Sequence, residues 1–222
     1  MRIPLALLPI ILACAHIPAL PPAPEADYSA GVESASLQDI VDRHWAWTLQ
    51  TYPEFATRLG DHSGDDRLTD PRWSAARENN QVRKAFLARL RSLEDLSEQD
   101  RVTRDLLVEE LVADIESEVC KFPLWSLSPR SNPITQINYL PQGQPLDTPV
   151  QMKALLARYA QAAVNVRMTI DNLEQGAAKG WFANEESARR VSKMVRSQLD
   201  APIESWPMVE DARADVSWPR ET

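Results

Sequence analysis

Glycine, histidine and cysteine are all scarce in this chain: six, three and two copies in 222 residues. With so little glycine there is no Gly-x-Gly-x-x-Gly or Walker pattern, which excludes the usual phosphate-cradling loops. Neither His-Glu-x-x-His nor Cys-x-x-Cys occurs, so no zinc site of three or four closely spaced ligands is written in the chain. His44 and His62 with Asp61 or Asp65 supply candidate ligands at a spacing that matches no metal motif. No Gly-x-Ser-x-Gly elbow is present either, which leaves serine chemistry without its usual frame. Positive charge is in deficit, 24 Lys and Arg against 32 Asp and Glu, a net charge of −8. That balance, spread along the chain, excludes the basic patch expected of a nucleic-acid binder.

Long apolar runs are also missing, but a short one is informative. Met1-Arg2 is followed by an apolar stretch from Ile3 to Ala13, broken by Pro4 and Pro9. It is about half the roughly 20 residues that a helix needs to cross a bilayer, and it fits an export signal. Ile11-Leu12-Ala13-Cys14 has the form of a lipoprotein cleavage box, so residues 1–14 are expected to be a signal peptide and Cys14 the lipidated residue. The same Ala13-Cys14-Ala15 satisfies the small-x-small rule for ordinary cleavage, which would release a soluble secreted or periplasmic protein. An uncleaved anchor is the third reading. If Cys14 is lipidated or removed, Cys120 stands alone and no intrachain disulfide can form. Residues 15–35, with Pro18, Pro21, Pro22 and Pro24, read as a proline-rich tether.

Helical periodicity dominates residues 36–200. Ser36 and Asp39 suggest a capped start, with Leu37, Ile40, Val41, His44 and Thr48 on one face. Pro53 suits a first helical position and Gly60 closes that short segment. Asp70-Pro71 signals another start, followed by Ala75, Val82, Phe86, Leu90 and Leu93. Ser97 with Asp100 opens a helix whose apolar stripe runs Val108, Leu111, Val112, Ile115, Val119 and Phe122. Thr148 caps and Pro149 opens the longest helix, with Met152, Leu155, Leu156, Tyr159, Ala163, Val166, Ile170 and Leu173 on one face and Gly176 at its C-terminal stop. Asn184 caps a last helix lined by Ala188, Val191, Val195 and Leu199. No segment alternates with period two, so the fold is expected to be all-α, five or six amphipathic helices in an irregular bundle.

Two stretches resist this pattern. The segment from about 122 to 147 holds five of the 17 prolines and reads as a long irregular connection, of the kind that binds something or docks on another element. Residues 201–222 carry Trp206 and Trp218 among three prolines and read as an irregular, truncated tail. Trp125, Trp206 and Trp218 either pack under loops or face a part of the protein outside this chain. Charged faces read as solvated: Glu110, Asp114 and Glu118 on one helix, Arg189, Arg190, Lys193 and Arg196 on another, the basic one with an acidic partner surface or a lipid headgroup as the sharper alternative. His44, on an apolar face, is expected to be a core histidine bonded to a backbone carbonyl.

The stretch Tyr52-Pro53-Glu54-Phe55-Ala56-Thr57-Arg58-Leu59-Gly60 resembles the opening of the bacterial family known as domain of unknown function 885. Asn132-Pro133 to Tyr139-Leu140, Thr148-Pro149 with Arg158 and Tyr159, and Asn172 to Gly180 resemble further segments of it in the same order, over residues 36–200. The resemblance implies an exported, largely helical protein, often a lipoprotein, grouped with zinc-dependent metallopeptidases whose His-Glu-x-x-His-type helix lies in the C-terminal half. No catalytic, cofactor or metal residue transfers to this chain, and zinc is implied only for full-length relatives. The expectation is therefore the N-terminal helical region of a zinc-peptidase-like envelope lipoprotein, not catalytic alone. Its partners would be a membrane, through Cys14, and a missing or separately encoded catalytic half. The alternative is a stand-alone helical lipoprotein that binds or scaffolds an envelope partner.

Overall fold

The computed structural model describes residues 19–214; Cys14, His16, the signal segment and Trp218 lie outside them. Among the described residues there are eight α-helices and no strand. The all-α class therefore holds, with more helices than the five or six expected.

Helix α1 (Ala35–Thr51) starts two residues earlier than its sequence signal, because Ser34 rather than Ser36 caps it: the Leu37 amide donates to Ser34 Oγ. Its entry is fixed from a distance. Asp100, 1% exposed, accepts from the Glu33 and Ser34 amides at 3.0 and 2.8 Å. Helix α2 (Pro53–Arg58) opens on its proline as expected. Helix α3 (Trp73–Arg91) begins beyond Asp70-Pro71, since the Asp70 carboxylate folds back onto the Arg72 amide and guanidinium. Helix α4 (Glu98–Glu116) is capped by Ser97, as its sequence indicates. Leu37, Ile40, Phe86, Leu87, Leu90 and Leu111 from α1, α3 and α4 form one core. Each such side chain, fully buried, contributes roughly 1.5–3 kcal/mol, so this half is held by packing.

The expected α4 stripe ends early. The chain leaves α4 at Glu116 and runs through a 3-10 turn to Lys121 at φ +49°, so Val119 and Phe122 are exposed rather than in the core. The supposed solvated face is also partly engaged: Asp114 pairs with Arg83 at 2.9 Å and the Glu118 carboxylate accepts from Asn80 of α3.

Residues 122–147 are not a structureless connection. Asn132 caps helix α5 (Pro133–Gly143), which contains Pro141. A proline inside a helix forgoes one hydrogen bond. Here it sits in the last turn, where Leu140 and Pro141 are both buried. Helix α6 (Pro149–Ala177) carries the capping box of Thr148 and Gln151, and helix α7 (Glu185–Leu199) starts at the Asn184 cap. On α7, Val191 is buried but Leu199 is exposed. Within the tail expected to be irregular, Pro207–Ala214 forms helix α8, and Ala212 joins Leu140, Leu146 and Leu155 in a second core. Trp125 and Trp206 are half-buried, each donating its indole N–H to a nearby carbonyl (Cys120 and Ala201), which is packing under local turns.

Candidate functional site

The inner face of α6 is where sequence and structure part most clearly. Leu155 is buried, yet Leu156 and Ile170, expected beside it, are exposed. The buried stripe instead runs through Leu155, Arg158, Ala162, Asn172 and Gly176. Two of these, Arg158 and Asn172, together with the half-buried Gln161 and Asn165, hold segment 64–73, the lead into α3, by seven hydrogen bonds. Arg158 donates to the Gly64 and Arg67 carbonyls at 3.0 and 2.8 Å. Gln161 donates to the Asp66 carbonyl and accepts from the Leu68 amide. Asn165 donates to the Thr69 carbonyl at 2.9 Å. Asn172 donates to the Pro71 carbonyl at 2.7 Å and accepts from the Trp73 amide at 3.1 Å. Each bond adds only about 1 kcal/mol net, but leaving a buried partner unmade costs about 1–3 kcal/mol. The ladder therefore fixes position more than it adds stability.

Arg158 is the hub of this ladder and is 1% exposed. Besides the two carbonyls above, it donates to Gln144 Oε1 at 2.7 Å, to Thr57 Oγ1 at 2.8 Å and to the Pro53 carbonyl. Burial pulls its guanidinium below the usual arginine range, and the nearby carboxylate of Asp65, 3.9 Å away, opposes that shift. Asp65 is itself committed: it accepts from Thr57 Oγ1 at 2.6 Å and faces His62 Nδ1 at 3.0 Å. Pro53, Thr57 and Arg158, separate signals in the sequence, thus meet in one buried cluster.

Gly176 is a point of close approach, not the helix stop. A Cβ there would lie 1.9 Å from the Leu124 carbonyl oxygen, and the left-handed turn that leaves α6 is made by Gly180 at φ +77°.

Between α2, residues 68–71, α5 and α6 opens a cleft of about 790 Å³, within the roughly 300–1,000 Å³ range of small-ligand sites. Phe55, Leu68, Ile137 and Leu140 give it apolar walls, and Arg158, Asn165 and Thr169 line its α6 side. Among the described residues Glu54 is its only lining carboxylate, and both oxygens accept from the Thr69 amide at 3.1 Å. No histidine, cysteine or serine among the described residues lines it. The cleft can bind and orient, but it offers neither a nucleophile paired with a base nor a free proton acceptor.

The sequence candidates lie elsewhere. His44 is buried in the first core, its ring edge-on to Phe86 at 5.2 Å and tilted against Trp47, instead of bonding a backbone carbonyl. Burial, reinforced by the Arg83 charge and opposed by Asp114, lowers its pKa to about 4. His62 is on the far side of Asp65, and Asp61 turns to the Ser63 amide. Zinc does not fit here: Asp65 is shared among Thr57, His62 and Arg158, and no group of three His, Cys, Asp or Glu side chains converges among the described residues. The basic side of α7 is exposed, with Arg189 and Arg190 both turned onto Glu186. Apolar periodicity on α6 points to neither the cleft residues nor the Arg158 hub. Arg158, Gln161, Asn165 and Asn172 recur at the same helical spacing, which was the available signal.

The model of a family described as bacterial protein of unknown function, DUF885, matches residues 53–219. No curated protein matches the chain.

Proposed function

This chain belongs to the bacterial DUF885 family, and from that premise we propose that its helical region is the substrate-recognition wall of a zinc-peptidase-like envelope lipoprotein, not catalytic by itself. The observation that carries the reading is the cleft. Its walls are held by backbone bonds to α6, which preorganises a surface at low cost on binding. Its one carboxylate is saturated by Thr69, so the lining supplies shape and contacts rather than proton transfer. Metal and its ligands would come from other polypeptide, covalently continuous or a partner, set against this wall. Segment 122–147, through α5, would be the part in contact with substrate. The chain would be exported and held at a membrane by lipid on Cys14, with periplasmic or secreted release as the alternative fate.

The test is hydrolysis. The purified full chain, supplied with zinc, is expected to turn over neither peptide nor ester substrates. Zinc-dependent turnover that disappears on mutating His44 or His62 would overturn the assignment.

A second reading, a stand-alone lipoprotein that binds an envelope partner, draws on the outer side of α6. There Leu156 and Val164 are 56% and 53% exposed, with Ile170 beyond them, apolar side chains that a partner could cover.

A further inference from the structure

Glu54 and Arg58 stand four residues apart on α2, the spacing at which a carboxylate and a guanidinium normally pair on a helix. Here they do not. Glu54 is drawn to the Thr69 amide and hydroxyl, and the methylenes of Arg58 instead pass over Gly143 of α5, 3.4 Å from where a Cβ would stand. Arg58 is exposed and has no ion-pair or hydrogen-bond partner among the described residues. The other arginine of the cleft, Arg158, has all three guanidinium nitrogens bonded within the protein and a carboxylate beside it. The polar lining shows the same division. Asn165, Thr169 and Gln142 are bonded within the protein, whereas the Gln136 amide and the Tyr139 hydroxyl, both on α5, are free among the described residues. The free groups thus include amide oxygens of Gln136, Gln142 and Asn165 as acceptors, but the one full charge without a partner among the described residues of the lining is the positive charge of Arg58, with Phe55, Ile137 and Leu140 nearby as apolar surface.

We propose that the cleft binds an apolar molecule ending in a carboxylate, with Arg58 as the anchor of that carboxylate and Phe55, Ile137 and Leu140 against its apolar body. A planar guanidinium takes a carboxylate through two parallel hydrogen bonds. The free C-terminus of a short apolar peptide and the head of a fatty acid share this chemistry. The proposal rests on the reading of the cleft as a recognition surface and names what that surface recognises.

Calorimetric titration of the full chain tests it with four probes: acetyl-Leu-Phe as the free acid and as the amide, decanoate, and decanol. The free acid is expected to bind about tenfold or more tightly than its amide, a difference of about 1.4 kcal/mol. Arg58→Gln, at an exposed position, is expected to remove that preference, so that acid and amide bind alike. Arg58→Lys should retain part of it, and added salt should weaken it. Acid and amide binding equally, both blocked by Ile137→Trp, would overturn the carboxylate anchor and leave the recognition wall standing. Arg58-dependent binding of decanoate without any peptide binding would uphold the anchor and remove the peptide-recognition reading. Binding of none of the four probes would overturn both.

Discussion

Two buried ionisable side chains set the terms at the residue scale. Arg158 satisfies five acceptors and faces Asp65. Its removal strips one buried hydrogen bond from each of those acceptors and the facing positive charge from the Asp65 carboxylate, which keeps only Thr57 and His62. Arg158→Met is expected to cost about 3–5 kcal/mol in urea denaturation, the usual result of breaking a buried pair from one side. His44 acts in the opposite sense, because it stays neutral in the fold. Its pKa is about 4 in the folded chain and about 6.5 when unfolded. Between those values the unfolded chain binds the proton that the folded chain refuses. Stability from His44 is thus complete above about pH 6.5 and is lost as pH falls towards 4, by up to about 3 kcal/mol. Denaturation midpoints across pH 4–7 should show that slope, and His44→Leu should flatten it.

At the scale of elements, α6 governs the arrangement. One face holds segment 64–73 by side-chain bonds, and its C-terminal end lies against the turn of residues 122–124. Because a Cβ at 176 would overlap the Leu124 carbonyl carbon and oxygen, at 2.8 and 1.9 Å, backbone must move to admit it. Gly176→Ala should therefore destabilise by about 1–3 kcal/mol, against the gain of about 1 kcal/mol that the same change gives in an exposed helix interior. A measured gain would mean that the close approach is absent in solution. The starts of α2, α4, α6 and α7 were legible from Pro53, Ser97, Thr148-Pro149 and Asn184, because a cap acts within one turn. α5 and α8 were not. Their prolines read as breaks, and burial against neighbouring helices outweighed that local preference.

At the scale of the molecule there are two cores among the described residues, one packed by α1, α3 and α4 and the other by α5, α6 and α8. The polar ladder of α6 grips segment 64–73, which leads directly into α3. No helix among the described residues is long and apolar enough to cross a membrane. Membrane attachment as proposed would run through Cys14, which lies outside the described residues. In a lipoprotein-processing host, labelled palmitate should enter the full chain and Cys14→Ser should abolish both the label and sedimentation with membranes. Label retained in that variant would exclude Cys14 as the anchor.

Composition and periodicity alone determined the all-α class, most helix starts and the absence of nucleotide or zinc motifs, since each depends on residues within a few turns of one another. Tertiary structure alone decided which face of α6 is buried, that Pro53, Thr57 and Arg158 share a cluster, and that Glu54 abandons Arg58. Those outcomes rest on partners such as Arg67 with Arg158 and Pro71 with Asn172, 91 and 101 residues apart. Arg158 and Asn172 can be buried because distant backbone supplies their hydrogen bonds, and no local pattern carries that information.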